Sequence, residues 1–165
     1  MTTISTARRA VATVAAGAAI AAFAGVASAD AAVPHHGKIY FVIGGGTTHP
    51  TALMHGVLNA VGKDDPNHDN YDILAFAHGS FRIVHPESLS KFVPHINHKT
   101  CYVSFVESGK FHLTHGHGQY AGITGSGTYT ATGAGFTPRT KSGACNLNAQ
   151  PIGEIFTVHA HGTLK

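Results

Sequence analysis

Residues 116–129 read Gly116-His117-Gly118-Gln119-Tyr120-Ala121-Gly122-Ile123-Thr124-Gly125-Ser126-Gly127-Thr128-Tyr129. This glycine density argues against a helix, because each glycine in a helix interior costs roughly 1 kcal/mol relative to alanine. From residue 124 to residue 132, threonine and serine alternate with glycine, tyrosine and alanine. A period of two predicts a strand with a hydroxyl-bearing face and a face of small residues and one ring.

A second strand is predicted at residues 110–115, where Phe111 and Leu113 alternate with His112 and Thr114. The turn that joins the two strands is predicted at residues 121–124, where Gly122 can adopt a positive φ. The region therefore predicts a glycine-rich hairpin within an antiparallel β-structure.

The rest of the chain carries further strand patterns and no convincing helix. Turns are predicted at the polar residues 63–70 and at Ser108-Gly109, and a long loop with two prolines is predicted at residues 86–99. About eight strands with short connections favour an all-β fold, an antiparallel up-and-down β-barrel, because closure removes exposed sheet edges. A two-sheet sandwich is the alternative. The predicted strands are 38–43, 51–61, 71–76, 80–85, 100–106, 110–115, 124–132 and 152–162.

The first 29 residues have the pattern of a secretory signal peptide. Arg8 and Arg9 precede an apolar run that ends in Ala27-Ser28-Ala29. A transmembrane anchor is the weaker interpretation, because the run is shorter than a typical span. We therefore expect a signal peptide at 1–29, a loose N-terminal lead-in at 30–37, a single β-barrel domain at 38–165, and a secreted, extracellular bacterial protein.

Removing that leader changes the charge of the chain. Of 165 residues, 136 remain, with nine Lys+Arg against eight Asp+Glu, because Arg8 and Arg9 are lost. No two basic residues are adjacent in this part, so nucleic acid is not an expected partner. We also expect no stable membrane insertion after cleavage, while the oligomeric state stays open. All 14 histidines lie in the mature part, which makes its surface charge depend strongly on pH.

The two cysteines, Cys101 and Cys145, are predicted to form a disulfide, as in most exported proteins with one cysteine pair. The bridge would close the segment that contains the glycine-rich hairpin. A pair of metal-binding thiolates is the alternative, but the chain has no short cysteine spacing.

Alternate residues of a strand face the same side of the sheet, and this rule predicts which side chains line an interior pocket. If Phe111 faces the interior, then His115 and His117 do so too, unless a bulge at Gly116 reverses the alternation. Glu154 shares parity with the apolar side of the last strand, and Tyr129 lies on the small-residue face. The predicted pocket is lined by Tyr129, Glu154, His117, His115 and Phe111. The competing interpretation places Glu154 in water at a strand end.

The His115-x-His117 spacing also makes these two residues candidate zinc or copper ligands. A second pair, His159 and His161, falls on the opposite face and cannot share an ion with the first pair. No glutamate follows His117 closely, and no motif frames a nucleophile. The predicted protein therefore has no required cofactor, and solvated histidines are the competing interpretation of the spacing.

The pattern Gly118-x-Tyr120-x-Gly122-x-x-Gly125-x-Gly127-x-Tyr129 follows Cys101 and the run Gly79-Ser80-Phe81-Arg82-Ile83-Val84-His85-Pro86. Together these segments resemble small secreted actinobacterial β-barrel proteins of unassigned function. More distantly they resemble the calycin-like allene oxide cyclase and dirigent barrels, over residues 56–162 in loose form. That resemblance implies an eight-stranded barrel whose interior holds an apolar or phenolic ligand.

Three functions follow as hypotheses. The first is a secreted, non-enzymatic β-barrel protein that binds a small apolar or aromatic ligand in its interior. The second is a histidine-based metal-binding or pH-responsive extracellular protein. The third, implied only by the resemblance, is an isomerase or coupling-guide activity, for which no catalytic residue is carried over.

Overall fold

The computed structural model describes residues 36–45, 49–66, 68 and 70–165, and within them the chain is almost entirely β-structure. The predicted signal peptide and most of the lead-in lie outside these residues. Among the described residues, no helix has the length and apolarity needed to cross a membrane. The strands are β1 (Gly37–Gly45), β2 (Thr51–Gly56), β3 (Ala60–Asp65), β4 (Tyr71–Phe76), β5 (Gly79–Val84), β6 (Lys91–Asn97), β7 (Tyr102–Gly118), β8 (Gly125–Phe136) and β9 (Ile152–Leu164).

Eight of the strands close into an antiparallel barrel, which confirms the predicted fold class and excludes the sandwich. Most neighbours in the barrel are also neighbours in sequence, while β1 pairs with β9 and β5 pairs with β7 to complete the cylinder. Closure gives each of these eight strands two paired neighbours within the barrel, so the barrel has no free edge.

The ninth strand, β6, lies outside the cylinder. The 17 residues of β7 pair with β6 over the first part of their length and with β5 over the second. Beyond the rim of the barrel, β6 and the adjoining parts of β7, β8 and β9 form a four-stranded sheet, which we call the extension. The extension therefore continues the barrel wall beyond the rim on one side only.

Three predicted boundaries are wrong. Residues 108–109 continue β7 instead of turning, because Gly109 is paired across the sheet with Tyr129. Residues 51–61 are divided between β2 and β3, with Gly56 ending β2 at φ 120°. The predicted loop at 86–99 contains β6, where Pro94 is tolerated because the strand pairs on one side only.

The core is a cluster of apolar and aromatic side chains inside the barrel. One end is closed by Tyr120 and Ile123, which are 1% and 2% exposed and come from the turn between β7 and β8. Gly122 has a φ of 79° in that turn, as predicted. The alternation in β8 is also confirmed, since its serine and threonine side chains are exposed on the outer surface. The buried core includes Ile39, Phe41, Ile43, Leu74, Phe81, Phe111 and Leu113.

The predicted disulfide joins Cys101 to Cys145, with 5.3 Å between the Cα atoms. It lies at the far tip of the extension, where β7 begins, so it holds residues 137–151 and not the barrel itself. Arg139 supports the same loop by donating hydrogen bonds to the carbonyl oxygens of Lys99 and Gly143, at 2.6 and 2.7 Å. The loop is thereby fixed against one face of the extension.

Candidate functional site

The end of the barrel opposite Tyr120 is not filled by side chains. A cavity of about 170 Å³ opens there toward the extension. Two-thirds of its lining residues are apolar, and three polar side chains, His85, Glu107 and Tyr129, face the same space. An apolar pocket with a few convergent polar groups is the usual form of a small-molecule site. The apolar lining consists of Ile83, Phe105, Phe111, Ala131, Phe156 and Val158.

Glu107 and Tyr129 form the central polar pair of the cavity. The Tyr129 hydroxyl donates a hydrogen bond to Glu107 Oε1 at 2.5 Å. Burial raises the pKa of Tyr129 well above its ordinary value, and the bond to Glu107 raises it further, so the phenol stays protonated as a donor. Among the described residues, no group donates a hydrogen bond to Glu107 Oε2. This oxygen is therefore available to accept a hydrogen bond from a bound molecule.

A second polar pair borders the first. His85 Nε2 lies 3.1 Å from Asp72 Oδ2, and the ring of His85 meets that of Tyr129 edge-on, with 6.1 Å between ring centroids. The hydrogen bond with Asp72 raises the pKa of His85, although burial opposes the shift. The pair therefore favours a protonated imidazole at the cavity wall.

Asp64 lies behind this pair and is 2% exposed. Burial, followed by the charge of Asp72, raises the pKa of Asp64 from 3.8 to about 7. Its Oδ1 atom has no hydrogen-bond partner among the described residues. Below about pH 7 the carboxyl group is therefore mainly neutral, which lessens the charge that the barrel must bury.

Glycine determines the position of Tyr129. A Cβ atom on Gly109 would lie 2.7 Å from Tyr129 Cε1 and 2.8 Å from its hydroxyl oxygen, so the ring occupies the space that a side chain would need. The same arrangement recurs where the ring of Phe105 lies over Gly133. Inward-facing glycines in β7 and β8 thus leave the space in which the aromatic rings of Tyr129 and Phe105 pack.

Replacing Gly109 by alanine is expected to displace Tyr129 from Glu107. Crowding of this kind in a packed interior costs about 1–3 kcal/mol, which urea unfolding would measure. Ser108→Ala, an exposed neighbour in the same strand, is the control and should change stability by less than about 0.5 kcal/mol. Equal stability of the Gly109→Ala protein and the parent would contradict the role assigned to this glycine.

The structure brings together two of the five predicted pocket residues, Tyr129 and Phe111. The inward placement of His115 and His117 is wrong, since both side chains are exposed. The reason is a bulge: β7 carries one extra residue between the pairs Ser80–His117 and Arg82–Thr114, and His115 has a φ of 51°. This extra residue reverses the alternation after Thr114.

Glu154 lies on the predicted face of β9 but outside the cavity. In chain order, Phe156 is the first residue of β9 that pairs with β1, so Glu154 precedes the paired part and lies beyond the rim of the barrel. It lines a groove on the extension together with Gly135 and Pro151. His159 and His161 are exposed on the opposite, outer face, as their parity predicted.

Sequence reasoning missed Glu107, His85, Asp72 and Asp64. Glu107 was hidden by the predicted turn at 108–109, although an unbroken alternation from Phe111 would have placed it inside. Asp64 was assigned to a polar turn because charged residues surround it in the sequence. Pairing of β3 with β4 places Asp64 opposite Leu74 in the interior instead.

In the part of the chain that the structure describes, no group of three or more His, Cys, Asp or Glu side chains is arranged to hold a metal ion. His115 and His117 therefore remain candidate ligands by spacing alone.

The geometry of this cavity is the main guide to its function. In comparisons with known proteins, the chain matches no protein-family model, no curated protein and no solved structure.

Proposed function

We propose that this is an extracellular, non-enzymatic binding protein whose barrel holds a small, largely apolar molecule of about one ring. The cavity between Phe111, Ala131 and Phe156 carries the proposal. An engineered apolar cavity of about 150 Å³ in another protein holds benzene, and the cavity of this barrel has a volume of about 170 Å³. The resemblance to barrels with apolar or phenolic ligands and the disulfide, typical of oxidising compartments, support the same proposal.

The polar groups favour a ligand that donates a hydrogen bond. Glu107 offers a carboxylate oxygen, and among the described residues that line the cavity the basic side chain is His85, which is paired with Asp72. A hydroxyl group could donate to Glu107 Oε2, whereas an additional carboxylate would be repelled. A phenol satisfies both the apolar lining and this polar pair.

Titration with 4-ethylphenol, followed by calorimetry, tests the proposal. The parent should bind one molecule, and Ala131→Leu should weaken binding at least tenfold because the added side chain fills the cavity. Thr130→Leu is the matched control, since Thr130 is the exposed neighbour on the outer face of the same strand. Binding of 4-ethylphenol by this control should equal that of the parent.

A second cavity-filling variant, Val158→Phe, keeps the test valid if Ala131→Leu misfolds. Circular dichroism should show an intact β-structure in both variants. The proposal fails if the folded parent shows no saturable binding, or if both folded filling variants bind 4-ethylphenol as the parent does.

A further inference from the structure

We propose, building on the function above, that the natural ligand is elongated: a hydroxyl- or amine-bearing head occupies the cavity, and an apolar chain extends along the groove of the extension. The groove has a volume of about 240 Å³ and is a separate concavity. Its floor comes from β6 and β7, and its outer wall comes from the loop 137–151, which the disulfide holds in place. Phe92, Pro94, Ile96, Val103, Leu147 and Pro151 supply its apolar surface.

The groove borders the cavity on the same face of the sheet. Phe105 lines both spaces, and its ring packs against that of Phe92 with 5.3 Å between centroids. Strand pairing shows why: Phe92 lies opposite Glu107 and Pro94 lies opposite Phe105, so the face that lines the barrel interior continues onto the extension. A molecule that leaves the cavity beside Glu107 therefore meets apolar surface.

Two apolar side chains along the groove are about half exposed to solvent. Phe92 is 56% exposed and Leu147 is 48% exposed. Covering such surface is favourable by about 25 cal/mol per Å². An apolar chain in the groove would bury it, and the wall formed by the loop 137–151 makes the groove concave, unlike a flat protein surface.

The charges select the head of the ligand. Glu107 and His85 line the cavity, Glu154 lines the groove, and Asp72 is the hydrogen-bond partner of His85. A carboxylate head would add a further negative charge to this acidic space. A phenol, alcohol or amine is the class that these groups accept.

The chain-length dependence of alkylphenol binding tests this inference. We expect 4-hexylphenol to bind the parent at least about tenfold more tightly than 4-ethylphenol, because four more methylene groups leave water. We expect 4-ethylbenzoate to bind at least tenfold more weakly than 4-ethylphenol at pH 8. Calorimetry gives the affinities, and native mass spectrometry checks that one molecule binds per chain.

Groove variants separate a chain in the groove from unspecific adhesion. Leu147→Glu and Ile96→Glu should each abolish the gain from the longer chain while leaving 4-ethylphenol affinity within twofold of the parent. Phe136→Glu is the matched control, because Phe136 is 52% exposed on the outer face of the same extension. This control should keep the full gain.

The outcomes distinguish this inference from the function on which it rests. If 4-ethylphenol binds but 4-hexylphenol binds no more tightly, the groove is not used and the cavity proposal stands. If neither compound binds, both proposals fail. The inference is also overturned if both groove variants keep the gain in affinity for 4-hexylphenol. It is overturned as well if light scattering shows a dimer in which a second copy of the chain covers the groove. Tight binding of 4-ethylbenzoate would overturn the assignment of the head.

Discussion

At pH 8, the Asp64→Asn protein is expected to have a free energy of unfolding higher than that of the parent by up to about 4 kcal/mol. Near pH 4 the two proteins should differ by less than about 1 kcal/mol. The substitution keeps the shape of a side chain that is 2% exposed and removes its ability to carry charge. Urea unfolding at intervals between pH 4 and pH 8 would measure the difference.

The direction follows from the raised pKa. Burial moves the pKa of Asp64 from 3.8 to about 7 in the folded protein. Between these two values the unfolded chain has released its proton while the folded protein retains one, so stability falls as the pH rises. Above about pH 7 the loss is complete and the curve flattens. Asparagine stays neutral throughout, so its advantage grows across the same window.

His85 acts in the same direction but largely cancels in the comparison. Its pKa is raised by the hydrogen bond with Asp72, so its stabilising effect is present below pH 6.5 and is lost as the pH rises through the folded value. Both proteins contain this pair. The difference between them therefore reports mainly on Asp64.

Glu87→Gln is the control for loss of one negative charge, because Glu87 is exposed on the short 3₁₀ turn after β5. Its effect on unfolding should stay below about 0.5 kcal/mol at each pH measured. A pH-independent difference between Asp64→Asn and the parent would show that Asp64 does not take up a proton on folding.

Alternation along single strands made much of the barrel predictable. The period of two in β8 places its hydroxyl groups in water and Tyr129 inside, and the structure agrees because one face of each strand borders the core. The disulfide was predictable because a chain with two cysteines has one possible internal pairing. These inferences need no knowledge of which strands are neighbours.

The site was less predictable because it depends on pairing between distant segments. The bulge at His115 arises because β7 has one more residue than β5 in this part of their pairing. As a result, the side chains of His115 and His117 lie at the surface and not in the predicted pocket. Glu107 lies inside because β7 passes the barrel rim unbroken to pair with β6. The predicted turn at Ser108 and Gly109 divided that strand in two. Glu107 was therefore not predicted to face the cavity.

Replacing both cysteines by serine is expected to lower the free energy of unfolding by about 4 kcal/mol, the chain-entropy value for a loop of this length. Cys101 and Cys145 are separated by 44 positions, and this segment holds the glycine-rich hairpin, so the unfolded chain gains much freedom without the bridge. Urea unfolding of the oxidised parent and the double variant would measure the loss. The barrel strands themselves should still form, because the bridge lies at the tip of the extension.

The comparison with Arg139→Gln shows which part of this loss comes from the bridge. Arg139 fastens the same loop through hydrogen bonds to Lys99 and Gly143, but it is exposed, so its removal should cost about 1 kcal/mol. A cysteine variant that loses no more stability than Arg139→Gln would contradict the chain-entropy account. Because the loop that carries Leu147 also walls the groove, the cysteine variant should bind 4-ethylphenol normally and lose part of the added affinity for 4-hexylphenol.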